Sequence, residues 1–153
     1  MSKYNYLKVF FDGGSRGNPG PSAIGAVIYD DSGRRIGELS EYIGKYTNNV
    51  AEYMALEKVL EYIEKLEAPK LILLTDSTLV HNQIKKLWKI KDKKILDIYL
   101  KLTGRLSKYG TVDLRLIPRE ENREADKLVN KALDSKEFKY DRESNISFGE
   151  IED

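Results

Sequence analysis

Cysteine is absent from this 153-residue chain, and histidine occurs once, at His81. The first absence excludes disulfides, thiolate zinc and a cysteine nucleophile, and it fits a reducing, cytoplasmic setting. The second excludes chemistry that needs two imidazoles. No run approaches the roughly 18 uninterrupted apolar residues that span a bilayer. The N-terminus, MSKYNYLKVFF, lacks the pattern of a secretory signal, so a soluble protein without membrane attachment is expected. Internal repeats and low-complexity segments are also lacking, which leaves one compact unit.

Charge is plentiful but nearly balanced, with 26 Lys and Arg against 25 Asp and Glu. The balance is uneven along the chain. Residues 1–133 hold 23 basic and 18 acidic groups, whereas residues 134–153 hold 3 and 7. A mildly basic body is compatible with a polyanionic partner.

The hydrophobic pattern changes period along the chain. Tyr4 to Phe11 predicts a strand, and Gly13, Gly14, Gly17, Pro19, Gly20 and Pro21 a turn-dense loop. Ala23 to Tyr29 and Arg35 to Ile43 complete an antiparallel meander. Leu56, Val59, Leu60 and Ile63 then fall at helical spacing and predict a helix over 49–66, capped by Asn48 or Asn49. Leu71 to Leu74 reads as a strand buried on both faces, followed by a helix through Leu87. A helix over 95–106, a strand over 112–117 and a last helix over 121–133 follow. The order βββαβααβα predicts an α/β fold, a mixed sheet with helices against it.

Four carboxylates break the pattern. Asp12 and Asp76 end apolar strands, at the sheet edge where open α/β folds bind ligands. Glu52 shares the inward stripe of Leu56 and Leu60. Asp126 lies three residues before Val129 in the last helix. Singly, each has an ordinary explanation: a turn residue, a first-turn acid or a helix cap. Converging without lysine or arginine, they would repel one another, and hard divalent cations are what stabilise such a cluster. Mg²⁺ or Mn²⁺ is the natural occupant, as two ions about 4 Å apart if phosphoryl transfer is the chemistry.

The strings FFDGGSRGNPGP, TNNVAEYMAL, LLTDSTLV and PREENREADKLVNKA stand in register from Phe10 to Ala132. In that order and spacing they resemble the type 1 ribonuclease H family, in a short form without the family's long basic protrusion. The resemblance implies a five-stranded mixed sheet, three antiparallel strands then two parallel ones, with helices on both faces. It implies a catalytic domain over residues 1–133 and an acidic tail over 134–153. The activity implied is hydrolysis of the RNA strand of RNA–DNA hybrids, leaving 5′-phosphate and 3′-hydroxyl ends. The family's metal ligands carry over onto Asp12, Glu52, Asp76 and Asp126. Family analogy has Asp12 bridging two ions, Glu52 and Asp76 on the attacking-water side, and Asp126 on the other.

By the same resemblance, Gly13, Gly14 and Glu52 contact 2′-hydroxyls, the handle that distinguishes RNA from DNA. Asn18, Asn48, Asn49 and Ser77 are further expected contacts, although Asn48 and Asn49 also suit capping. Lys85, Lys86 and Lys89 flank Trp88, and this stretch is expected to follow the DNA backbone with the indole on a sugar. A solvated lysine face and a core tryptophan are the plainer alternatives. The match departs at the loop Pro118-Arg119-Glu120-Glu121-Asn122, which lacks the His of well-known bacterial members, and at Thr78, where a common member has Gln. His81 is expected to be structural or exposed. Phe138, Tyr140, Ile146 and Phe148 suit short strands, packing on the body or a disordered end. The leading expectation is a monomeric hybrid-specific endonuclease. Its competitors are a same-fold nuclease acting also on double-stranded RNA or a DNA junction, and a hybrid-binding module without catalysis.

Overall fold

The computed structural model describes residues 3–144, with side chains to Lys136. The elements are β1 (Tyr6–Ser15), β2 (Gly20–Tyr29), β3 (Arg35–Tyr46), α1 (Asn48–Ile63), β4 (Lys70–Thr75), α2 (Thr78–Ile84), α3 (Lys93–Leu106), β5 (Thr111–Leu116), a 3-10 turn (Arg119–Glu121) and α4 (Arg123–Ser144). They build a five-stranded sheet in the order β3-β2-β1-β4-β5. β1 pairs antiparallel with β2 and parallel with β4, and β5 is parallel to β4. This is the mixed sheet expected.

Alternation along the strands divides the core between two faces. Leu7, Val9, Phe11, Ile24, Ala26 and Ile28 pack against the buried stripe of α1, including Tyr53, Leu56 and Ile63, with Ile98 and Leu102 of α3 behind. On the opposite face Ala23 packs against Val129, Ala132 and Leu133 of α4. No helix among the described residues is long and apolar enough to cross a membrane.

Several element boundaries differ from the sequence expectation, each for a visible reason. β1 runs past Asp12 to Ser15, because its antiparallel pairing with β2 continues through Ser15 and Ser22 after the parallel pairing with β4 has ended at Phe10 and Leu74. The cap of α1 is Thr47, whose Oγ1 accepts from the Val50 amide at 3.2 Å, rather than Asn48 or Asn49. α2 stops at Ile84 because Lys86 adopts φ 65°, and the amides of Lys86 and Leu87 fold back to the carbonyls of Gln83 and Asn82. That is a Schellman closure with lysine where glycine is usual. α4 continues through Ser144, so the expected boundary at Leu133 falls inside a helix, and the backbone at Phe138 and Tyr140 is helical rather than extended. Ile146 and Phe148 lie outside the described residues.

Two glycines set how closely the helices approach the sheet. A Cβ on Gly13 would lie 2.2 Å from the Ala51 carbonyl oxygen in α1, and one on Gly25 would lie 2.3 Å from the Ala125 oxygen in α4. Ala51 and Ala125 immediately precede Glu52 and Asp126, so the absence of side chains in β1 and β2 lets two carboxylates reach the sheet. Gly104 in α3 has open space where a Cβ would go. Gly13→Ala and Gly25→Ala should each cost about 3 kcal/mol in urea unfolding through backbone overpacking. Gly104→Ala should gain about 0.5–1 kcal/mol from helix propensity.

Candidate active site

The sheet brings three of the four sequence-selected carboxylates together. Asp12 lies in β1 beyond the last β4 pair, Asp76 follows β4, and Glu52 sits in the second turn of α1. One oxygen from each lies within 4.8 Å of the others. Gly13 N–H donates to Glu52 Oε1 at 2.9 Å, which fixes that carboxylate against the strand carrying Asp12. Asp126, in the first turn of α4, stands outside this tight group but close enough to act on Asp12 by charge and hydrogen bonding. Asn130 Nδ2 donates to Asp126 Oδ2 at 3.4 Å, and the Arg119 guanidinium approaches Asp126 at 3.9 Å.

These carboxyls hold their protons unusually tightly. Burial, reinforced by the charges of Asp76 and Asp126, pushes Asp12 up to about 8. Burial followed by the charge of Asp12 raises Glu52 well above the ordinary range, although the Gly13 amide opposes it. Asp76 is raised by burial while the Asn122 amide and the Arg119 charge pull it back. Acidic oxygens that converge with little cationic relief suit a hard divalent cation, which replaces the retained protons and needs neither sulfur nor imidazole. The donor set therefore fits Mg²⁺ or Mn²⁺.

Asp12, Asp76 and Asp126 open into a cleft of about 410 Å³ that Gly13, Gly14, Arg16, Asn48, Arg119 and Asn130 help to line. Asn48 Oδ1 accepts from the Ser15 amide at 2.8 Å, and the Asn48 amide donates to Asn18 Oδ1 at 3.0 Å. Asn18 in turn borders a second groove of about 390 Å³, lined also by Asn49, Gln83, Lys89 and Lys91. The two asparagines thus join the grooves. Ser77 is buried and caps α2, its Oγ accepting from the Val80 amide at 3.1 Å.

Lys85, Lys86 and Trp88 line neither groove. Trp88 is 49% exposed and so is not core. The segment is nonetheless held, since buried Gln83 accepts from the Tyr53 hydroxyl at 2.8 Å and donates to the Lys89 carbonyl at 3.0 Å. His81 bonds Asn82 Oδ1 through Nδ1 at 2.8 Å and does not border the cleft. Sequence reasoning missed Arg16, Asn130 and Asn122. Arg16, just after β1, donates to Asn130 Oδ1 of α4 at 3.1 Å, a pairing between distant segments that no local spacing signals. Asn122 falls inside the predicted last helix, where nothing in the local pattern sets it apart, whereas α4 begins at Arg123.

A carboxylate cluster at the carboxyl ends of central strands, open to a polar cleft, defines an α/β protein with an acidic site that could hold a metal ion. A family model described as reverse transcriptase-like matches residues 10–132. The structure of RNase H1 from the halophilic archaeon Halobacterium salinarum NRC-1 superposes with a TM-score of 0.82 at 35% identity, covering 85% of this chain and 98% of that one. LC11-RNase H1, isolated from compost and solved in complex with an RNA/DNA hybrid, gives a TM-score of 0.75 at 37% identity over 84% of this chain and 97% of that one. A bifunctional protein of Mycobacterium tuberculosis is 40% identical over 125 residues, 81% of this chain but 34% of that protein. The chain thus spans about a third of the length of that relative. It belongs to the ribonuclease H family, type 1.

The retained protons make stability fall with pH when no metal is bound. A carboxyl that titrates near 3.8 unfolded and near 8 folded stabilises the fold fully below pH 3.8 and loses that contribution as pH rises toward 8. In EDTA, the melting temperature should therefore drop between pH 5 and pH 9. Asp12→Asn should flatten the drop and melt higher at pH 9 by roughly 5 °C, at about 2–4 °C per kcal/mol for a chain of this size. An unchanged pH slope in the variant would remove Asp12 as its source.

Proposed function

We propose that this chain is a ribonuclease H that hydrolyses the RNA strand of RNA–DNA hybrids, with Asp12, Glu52, Asp76 and Asp126 holding two Mg²⁺ ions. The observation that carries this reading is the convergence of Asp12, Glu52 and Asp76 within 4.8 Å beside a polar cleft. Mn²⁺, with the same preference for oxygen donors, would substitute. Divalent cations bound there would supply Lewis acidity, lowering the pKa of an attacking water and offsetting charge on the departing 3′ oxygen.

The chain's own groups account for orientation and recognition. Gly13 and Gly14 leave the floor of the cleft without side chains, so the minor groove of a hybrid can bring its 2′-hydroxyls to the backbone and to Glu52. Asn18, Asn48 and Asn49 offer carboxamides along the junction of the two grooves. Lys89 and Lys91 border the second groove, where a DNA backbone would run, and Lys85, Lys86 and Trp88 extend the exposed basic surface beyond it. Arg119 projects over the cleft, its side chain 82% exposed, in the loop where other members carry histidine. One chain supplies all four carboxylates, which supports a monomer as the working unit. The cysteine-free composition supports a cytoplasmic location, and residues 1–133 supply the catalytic unit.

End-labelled RNA–DNA, RNA–RNA and DNA–DNA duplexes and single-stranded RNA of one sequence, incubated with Mg²⁺ or Mn²⁺, test the reading. Only the hybrid's RNA strand should be cut, and Asp76→Asn should lower the rate by on the order of 10³-fold. Equal cleavage of double-stranded RNA would broaden the substrate class, and tight hybrid binding without cleavage under either metal would leave a binding module. Replacing Lys85, Lys86 and Lys89 with Ala should reduce the slope of log affinity against log salt by about 1 for each phosphate no longer neutralised. A slope equal to that of the unaltered protein would exclude those lysines from the interface.

A further inference from the structure

Asn122 is 1% exposed and sits where three carboxylate-bearing segments meet. Its Nδ2 donates to the Phe11 carbonyl at 2.9 Å, one residue before Asp12 and just past the last β1–β4 pair. The same side chain lies near enough to Asp76 to oppose the upward shift that burial gives that carboxyl. The Asn122 backbone carbonyl accepts from the Asp126 amide at 3.1 Å and so begins α4. One residue thereby ties β1 to the first turn of α4, beside the segment that carries Asp76.

Helix capping does not explain the side chain. A capping asparagine would turn Oδ1 onto the second or third amide of α4. Here Oδ1 is buried with no partner among the described residues. Reversing the amide would set an oxygen against the Phe11 carbonyl and leave that carbonyl unbonded. An unpartnered buried carbonyl is destabilising, and an apolar residue of the same shape would remove it. Retaining the amide at that cost indicates that its donor is needed where it is, on the Phe11 carbonyl next to Asp12.

We propose that Asn122 is a positioning residue, which fixes the separation of Asp12, Asp76 and Asp126 so that they receive divalent cations without rearrangement. This rests on the metal-dependent function proposed above. Asn122 touches neither substrate nor cation in this role. It holds the strand before Asp12 against the loop that starts α4.

Asn122→Leu keeps the branching and removes both polar atoms, while Asn122→Ser, smaller than asparagine, keeps a polar group too short to reach Phe11. Mn²⁺ binding to the otherwise metal-free protein, followed by electron paramagnetic resonance, should weaken at least tenfold in both variants. Cleavage of hybrid, measured well below the melting temperature, should lose at least tenfold in kcat with KM within twofold. A purely structural role would shift melting temperature without moving Mn²⁺ affinity, and Mn²⁺ binding within twofold of the unaltered protein in either folded variant overturns the proposal. NMR of the unaltered protein gives a measurement that needs no variant to fold. The Asn122 side-chain amide should exchange slowly with solvent and shift on Mg²⁺ addition, and an amide that exchanges freely or ignores Mg²⁺ is equally decisive against it. Because Mn²⁺ binding is read apart from cleavage, a protein that binds Mn²⁺ but leaves hybrid intact would overturn the proposed activity and not the role of Asn122.

Discussion

Electrostatic repulsion among carboxylates that the fold forces together is the constraint on which this structure turns. Asp12, Glu52 and Asp76 come from a strand, a helix and a post-strand loop, and no local preference would bring them within 4.8 Å. Burial compounds the repulsion, because desolvation is the largest influence on all three. The site therefore stores free energy in the metal-free state that either protons or cations can relieve.

What holds the cluster together is the rest of the fold. The sheet supplies a rigid floor in which β1 outlasts its partner β4, so that Asp12 remains in a strand while Asp76 has already turned away. Glycines at 13 and 25 permit close approach of α1 and α4, each at the residue next to a carboxylate. The burial of Leu56, Leu60 and Ile63 on one face and of Val129 and Leu133 on the other anchors those helices. At about 1.5–3 kcal/mol for each large apolar side chain buried, this packing exceeds what the clustered charges oppose.

Legibility in the sequence followed the range of the interactions. The alternating strands, the 3.6-residue stripe of α1 and the three inward carboxylates at 12, 52 and 76 were readable because each is a departure from, or an instance of, a short-period pattern. Helix ends were less readable, since Thr47 outcompeted two asparagines for the α1 cap and Lys86 took a conformation usually left to glycine. Ser77, expected from its position as a substrate contact, also caps α2, its Oγ accepting from the Val80 amide. The continuation of α4 past Leu133 was hidden by a shift to polar composition, which removes the apolar periodicity that marks a helix in sequence.

Asn122 marks the part of the site that sequence could not reveal. Its meaning depends on Phe11, 111 residues away, and on a backbone carbonyl left without its β4 partner where two strands diverge. From sequence the residue sits within the predicted last helix, and only the direction of its amide, onto the Phe11 carbonyl, shows what it holds. A cluster of like charges needs neutral donors as well as cations, because a neighbouring lysine or arginine would compete with the metal for the same oxygens. An amide donor orients an oxygen without neutralising it, so it can fix carboxylate geometry while leaving the charge available to the cation. The Arg119 guanidinium, largely in solvent, and the fixed Asn122 amide, sealed beneath the cleft, thus divide two tasks that one positive group at the floor would confound.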